Sequence, residues 1–149
     1  MSRLVADSSA LVSLGIVADE SPDPLSLCLA RYEVVIPTAV DEELQEIASY
    51  DDMHGRAATL VLDRTDEYQL RAVDLDATFP LDDGENAAVT LANELDVALF
   101  LCDEFNQLGL IHASLADTRL VTTPTLLSIL VRTEQLSIAD ARTLLGEIS

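Results

Sequence analysis

Short apolar runs alternate with segments of helical period along the whole chain, and this alternation most constrains how it can fold. Five apolar runs predict β-strands, and the segments between them carry apolar residues three or four positions apart. Strands separated by helices favour a parallel sheet, because each parallel connection needs a long crossover. The sequence therefore predicts an α/β fold. The five predicted strands are residues 3–6, 33–36, 70–75, 98–102 and 119–122.

Capping and turn residues indicate where the helices begin. The predicted starts are Thr38 with Asp41, Asp83 with Gly84, Thr123 with Pro124, and Ser137 with Asp140. We find no internal repeat or linker, and 149 residues suffice for a full hydrophobic core, so we expect one domain over residues 1–149.

Hydropathy and cysteine usage predict the cellular compartment of the protein. No apolar run approaches the roughly 20 residues that span a bilayer, so we expect no membrane partner. Asp7 interrupts the apolar segment near the amino terminus, which disfavours a signal peptide. Cys28 and Cys102 lack metal-ligand spacing, and Cys102 is expected to be a buried strand residue. These features predict a cytoplasmic protein in a reducing compartment.

The charge balance is extreme. Eight arginines and 27 acidic residues give a formal net charge of −19, and the chain has no lysine. Such a surface ordinarily disfavours a nucleic-acid partner, because Lys and Arg supply the phosphate contacts. Molar intracellular salt is another explanation, since it shortens the Debye length to about 3 Å and screens the self-repulsion. We favour this halophilic interpretation, under which net charge says little about the substrate.

Four acidic residues are placed where the predicted sheet would bring them together. Asp7 and Asp103 each close an apolar strand run, whereas Glu43 and Glu85 lie just inside predicted helices. The carboxyl ends of parallel strands meet at one edge of the sheet, where open α/β folds bind ligands. Four carboxylates there would repel one another unless a cation joined them. The pattern therefore predicts a divalent metal site.

Helical geometry strengthens the prediction for the two glutamates. Glu43 falls on the apolar face that Val40, Leu44 and Ile47 define, and Glu85 falls on that of the later helix. A carboxylate directed at the protein body is unfavourable unless it is protonated, paired or metal-bound. Six neighbours are expected to face solvent instead: Asp41, Glu42, Glu46, Asn86, Thr90 and Glu94.

Structural interpretations compete with the metal site. An N-cap is the favoured interpretation for Asp103, Asp82 or Asp83 taken alone, and for Asp7 the two interpretations are balanced. His54 and His112 are isolated, so surface or partly buried positions are expected, and Tyr50 is interpreted as a packing residue. Arg119 and Arg132 could contact phosphate near the crevice, but surface salt bridges are the favoured interpretation. What favours a metal is the occurrence of four acids on four segments at one edge.

The ordered set of segments resembles the PIN domain, a metal-dependent ribonuclease fold. The resemblance extends from about residue 3 to 134 and rests on four pieces, residues 4–11, 36–44, 83–88 and 101–104. It implies a three-layer α/β/α fold with a five-stranded parallel sheet whose first strand is central. It also implies that Asp7, Glu43, Glu85 and Asp103 are the metal-site acids, with Ser9, Asp82 and Glu104 as auxiliary residues.

The resemblance implies a function as well. An endoribonuclease of the toxin or RNA-processing type would use Mg²⁺ or Mn²⁺ at the four acids to hydrolyse single-stranded or structured RNA. Its partners would be an antitoxin protein and a second copy of the same chain, with which it would form a homodimer. The alternative is a catalytically silent PIN-like binding or assembly module. A phosphoacceptor domain is disfavoured because it needs a lysine, and a two-aspartate phosphatase because Ser8 and Ser9 follow Asp7.

Overall fold

A five-stranded parallel sheet forms the centre of the protein. The structure is a computed structural model that describes residues 1–148. The strand order is β3-β2-β1-β4-β5, so the first strand is central, as predicted. Its apolar residues Leu4, Val5 and Ala6 are fully buried. The strands are β1 (Arg3–Ala6), β2 (Glu33–Pro37), β3 (Gln69–Arg71), β4 (Leu99–Leu101) and β5 (Arg119–Val121).

Helices connect the strands and cover the sheet. The chain steps outwards from β1 through β2 to β3 and then continues on the other side of β1 with β4 and β5. Because parallel crossovers are right-handed as a rule, this order assigns the helices of the two halves to opposite faces of the sheet. In the described part of the chain the helices are α1 (Ser8–Ile16), α2 (Pro24–Arg31), α3 (Thr38–Ala48), α4 (Met53–Leu62), α5 (Asp83–Leu95), α6 (Leu108–Ser114), α7 (Thr123–Arg132) and α8 (Ile138–Ile148). None of them is long and apolar enough to cross a membrane.

All four predicted helix starts are confirmed, and α3 begins at Thr38. Helix α5 begins at Asp83 and α7 at Thr123, and Ser137 Oγ accepts a hydrogen bond from the Asp140 amide at the start of α8. The capping box predicted at the start of α3, with Thr38 and Asp41, is nevertheless wrong. Pro37 occupies the N-cap position of α3 and no side chain caps this helix, because Asp41 bonds instead to Gln45, with 2.7 Å between Oδ2 and Nε2.

The third strand is shorter than the predicted residues 70–75. Strand β3 lies at the edge of the sheet, pairs only with β2, and exposes all three of its residues. Beyond Arg71 the chain turns towards α5, where the Asp76 amide donates to Asn86 Oδ1 at 2.9 Å. The predicted strand was therefore too long: the apolar pattern continues after Arg71, but pairing with β2 does not.

Two of the six residues expected to face solvent are buried. Asp41 and Asn86 have exposed fractions of only 8% and 5%, so the prediction was wrong for both. Asn86 Nδ2 donates to the carbonyl of Asp76 at 2.8 Å, which anchors the loop before α5. Glu42, Glu46 and Glu94 are exposed and Thr90 is half-buried.

Candidate metal centre

Asp7 stands at the carboxyl end of the central strand. Its amide donates to the Leu101 carbonyl at 2.9 Å, which ties the end of β1 to β4. Its Oδ1 accepts the Ser8 amide at 2.8 Å, so Asp7 caps α1. Its Oδ2 is 3.4 Å from Ser9 Oγ and 3.5 Å from Cys102 Sγ. Both interpretations of Asp7 from the sequence therefore remain open, because a capping carboxylate still has lone pairs for a cation.

Cys102 is buried, as predicted, but it lies just after β4 and not within it. Burial, followed by the Asp7 carboxylate, raises the pKa of the Cys102 thiol to about 12. The thiol is therefore protonated at neutral pH and donates to Asp7.

Glu43 approaches the same point from α3. Ser8 Oγ donates to its Oε2 at 3.1 Å, which joins α3 to the start of α1. Within residues 1–148 its buried Oε1 has no hydrogen-bond donor. That oxygen rests against Gly84, at the start of α5, where a β-carbon would overlap it. A buried carboxylate oxygen without a partner is a position that a cation could satisfy.

Glu85 reaches the site from the first turn of α5. It is 7% exposed, and its amide donates to Asp82 Oδ1 at 2.9 Å. Asp82 is therefore the N-cap of α5, as favoured for it alone. Asp82 and Glu104 line the same cleft as Asp7 and Glu85.

The pKa shifts show that these carboxylates share one electrostatic environment. Burial, followed by repulsion from Asp7, raises the pKa of Glu43 to about 7. Burial, followed by repulsion from Asp82 and then Asp7, raises that of Glu85 to about 7. Burial also raises the pKa of Asp7, against the hydrogen bonds from Ser8 and Cys102. Carboxylates that repel one another in this way are stabilised in their charged form when a divalent cation binds between them.

Asp103 lies beside this group and is held by α7. Its Oδ1 accepts the Thr123 amide at 2.7 Å and its Oδ2 accepts Thr123 Oγ1 at 2.5 Å. Asp103 is therefore not the N-cap of the segment that follows it, which was the interpretation favoured for it alone; it is held instead by the start of α7, 20 residues further along the chain. Its own amide donates to Ser9 Oγ at 3.0 Å, so Ser9 bridges the backbone of Asp103 and the carboxylate of Asp7. Asp103 does not itself line the cleft that the other three acids share.

The cleft has a volume of about 540 Å³ and extends from the carboxylates along α1 and α3. Its far end is lined by Tyr50, which is 51% exposed, and by the exposed His54. The sequence interpretation of Tyr50 as a packing residue missed this position. Its position follows from the turn after α3, which ends at Ala48, so no local sequence pattern indicated it.

The donor set suits a hard divalent cation. Carboxylate oxygens are the ligands that Mg²⁺ and Mn²⁺ prefer, and three converge here with one buried oxygen unpaired. No group of three or more His, Cys, Asp or Glu side chains in the described chain already has the arrangement of a metal site. Binding of a cation would therefore require these side chains to rearrange.

Comparison with solved structures identifies the fold. The chain is similar to a PilT N-terminus domain protein from the archaeon Sulfolobus solfataricus P2, with a TM-score of 0.58 and 18% sequence identity over 85% of this chain and 92% of that chain. A structure of VapBC2 from Rickettsia felis bound to a DNA fragment from its promoter gives a TM-score of 0.47 and 10% identity over 80% and 98% of the two chains. No family model and no curated protein matches the sequence. The chain thus has the fold of PilT N-terminus (PIN) domains.

Proposed function

We propose that this protein is an endoribonuclease that depends on Mg²⁺ or Mn²⁺. The observation that carries the proposal is the convergence of Asp7, Glu43 and Glu85 on one cleft from three separate segments. Their raised pKa values, the unpaired Glu43 oxygen and the PIN fold all support it. RNA as the substrate, with 5′-phosphate and 3′-hydroxyl products, rests on the PIN resemblance.

Some residues of the cleft would bind the cation, and others position the residues that bind it. Asp7, Glu43 and Glu85 would hold the cation, and the cation supplies charge neutralisation and a more acidic bound water. Ser8 and Ser9 hold the carboxylates of Glu43 and Asp7 by hydrogen bonds. Such positioning limits the rearrangement needed to reach the productive geometry.

Asp103 would act at longer range. Each of its oxygens accepts one hydrogen bond from Thr123, and each retains a lone pair for a bridging water. Asp82 and Glu104, on the wall of the cleft, would orient further waters. We therefore propose a supporting role for these three acids.

The open cleft gives the RNA strand its path. A phosphate bound at the carboxylates would place the neighbouring nucleotide beside Tyr50 and His54. Stacking of a base on an aromatic side chain contributes about 1–3 kcal/mol and tolerates any base. Such a site suits single-stranded RNA.

The proposal is tested with Asp7→Asn, which keeps the shape of the side chain and removes its charge. We expect cleavage of a 5′-labelled single-stranded RNA, in Mn²⁺ and high salt, to fall by more than about 100-fold. The matched control is Asp66→Asn, because Asp66 is exposed and does not line the cleft. Full activity in a folded Asp7→Asn protein would remove Asp7 from the site.

The silent binding module remains the second candidate, and the charge of the cleft favours it. Six acids line the cleft, so its potential repels phosphate until cations bind. Saturable Mn²⁺ binding by a wild-type protein that cleaves no RNA would support this alternative over the nuclease.

A further inference from the structure

A second cleft, at the opposite end of the sheet, concentrates positive charge. Arg31, Arg119 and Arg132 all line it, and its volume is about 460 Å³. It lies at the amino ends of the strands, since Arg119 begins β5 and Ala98, which precedes β4, also lines it. We call it the arginine cleft. It holds three of the eight arginines in a chain of net charge −19.

The arginines of this cleft are not neutralised by the protein. The ion pairs in residues 1–148 use only Arg3 and Arg64. The surface salt bridges expected for Arg119 and Arg132 are therefore absent from the described chain, and that interpretation was wrong. No Asp or Glu in the described residues lines the arginine cleft.

One of the three guanidinium groups is held in place. Arg31 Nε donates to Tyr32 Oη at 3.1 Å, and the guanidinium carbon lies 5.4 Å from the Tyr32 ring centroid. Both terminal nitrogens of Arg31 remain available as donors. Planar guanidinium groups match the oxygens of phosphate in a bidentate way, and such short contacts persist where salt screens long-range attraction.

The wall of the cleft adds an apolar surface. Leu99 and Ile129 line it and are nearly buried. The volume falls in the roughly 300–1,000 Å³ range of small-ligand sites. An anion with several charges and an apolar, planar body would meet both surfaces.

We propose that the arginine cleft binds a nucleoside polyphosphate, with its phosphates on Arg119 and Arg132 and its base against Leu99 and Ile129. This site is separate from the carboxylate cleft and does not depend on the proposed nuclease activity. Its ligand is a small molecule, because the volume of about 460 Å³ suits one.

The test is calorimetric titration of the full chain with ATP in EDTA, at the lowest salt at which circular dichroism shows the protein folded. EDTA removes divalent ions, so the carboxylate cleft takes no part. We expect saturable binding of ATP that weakens about tenfold in Arg119→Gln and in Arg132→Gln, the effect of losing a charge-assisted hydrogen bond. Inorganic pyrophosphate should bind more weakly than ATP, since it lacks the base.

Arg142→Gln is the matched control, because Arg142 is exposed on α8 and lies outside the cleft. It should bind ATP like the wild type, and so should Asp7→Asn. No saturable ATP binding, or equal binding by the wild type and both folded cleft variants, would overturn the proposal. Pyrophosphate binding as tight as that of ATP would also overturn it, because the apolar wall would then contribute nothing.

Discussion

At the scale of the residue, the carboxylates of the candidate metal centre are held in an electrostatically unfavourable arrangement. Glu43 is half-buried and Glu85 is buried near Asp7, and Ser8 gives Glu43 only a neutral hydrogen bond. Structural acids normally acquire cationic partners or many amide donors. Residues whose burial and like-charge neighbours raise their pKa are characteristic of functional sites, which is why we assign them a cation.

The raised pKa values predict how stability depends on pH. The pKa of both glutamates rises from 4.5 to about 7 on folding, so the folded protein binds more protons than the unfolded chain between these values. Their contribution is complete below pH 4.5 and is lost as the pH rises through about 7. In EDTA we therefore expect the free energy of unfolding to fall between pH 5 and pH 8, as measured by urea denaturation.

The matched variants are Glu43→Gln and Glu42→Gln, since Glu42 is an exposed neighbour on the same helix. Glu43→Gln should flatten the pH dependence and Glu42→Gln should not. An identical fall in the wild type and Glu43→Gln would show that Glu43 has an ordinary pKa.

Individual residues also show how far sequence reasoning reaches. Helical period places Glu43 and Glu85 correctly towards the protein body, because local geometry alone decides which residues share a face. It fails for Asn86, whose burial depends on a hydrogen bond to the distant Asp76. The separate expectation of a surface salt bridge fails for Arg119, which has no ion-pair partner within residues 1–148, because ion pairs depend on neighbours from other elements.

At the scale of the element, the close approach of α5 to α3 shapes the candidate centre. Gly84, the second residue of α5, has no side chain, and the Glu43 carboxylate occupies the space. The sequence indicated that a helix opens at Gly84. It could not show that the glycine accommodates a carboxylate from another helix, because that contact exists only in the tertiary structure.

This contact predicts the effect of Gly84→Ala. The added methyl group would displace the Glu43 carboxylate, so we expect Mn²⁺ affinity to fall by about tenfold or more in calorimetry. The melting temperature should change little, because the displaced group is the end of a flexible side chain. In α8, Gly146 has no atom within 4 Å of such a methyl group, so Gly146→Ala is the control. Unchanged Mn²⁺ affinity in Gly84→Ala would exclude a role for this contact.

The strands also show which features the sequence pattern predicts and which depend on the tertiary structure. The alternation of apolar runs and helical segments was sufficient to predict five parallel strands. The central position of β1 was predicted from the PIN resemblance, and the strand order agrees with it. The alternation was insufficient for the length of β3, an edge strand that pairs with β2 only as far as Arg71.

At the scale of the whole molecule, charge is segregated between the two ends of the sheet. Acids line the cleft at the carboxyl ends of the strands, and arginines line the cleft at the amino ends. The net charge of −19 must still be accommodated on a small protein. Self-repulsion of this size destabilises the compact state unless salt screens it.

The halophilic interpretation therefore predicts that salt stabilises the protein. Raising KCl from about 0.1 M to about 1 M shortens the Debye length from about 10 Å to about 3 Å, so the melting temperature should rise. The gain should shrink near pH 4, where many carboxylates are protonated. A melting temperature that stays constant or falls with KCl at neutral pH would contradict halophilic adaptation.

The central claim is that Asp7, Glu43 and Glu85 share a divalent cation. The most direct measurement is anomalous diffraction from crystals soaked in Mn²⁺, with Asp7→Asn crystals as the control. We predict an anomalous peak bonded to oxygens of these three residues at about 2.0–2.6 Å, and its loss in the variant. A wild-type map without a peak in this cleft, although Mn²⁺ is bound elsewhere on the protein, would contradict the claim.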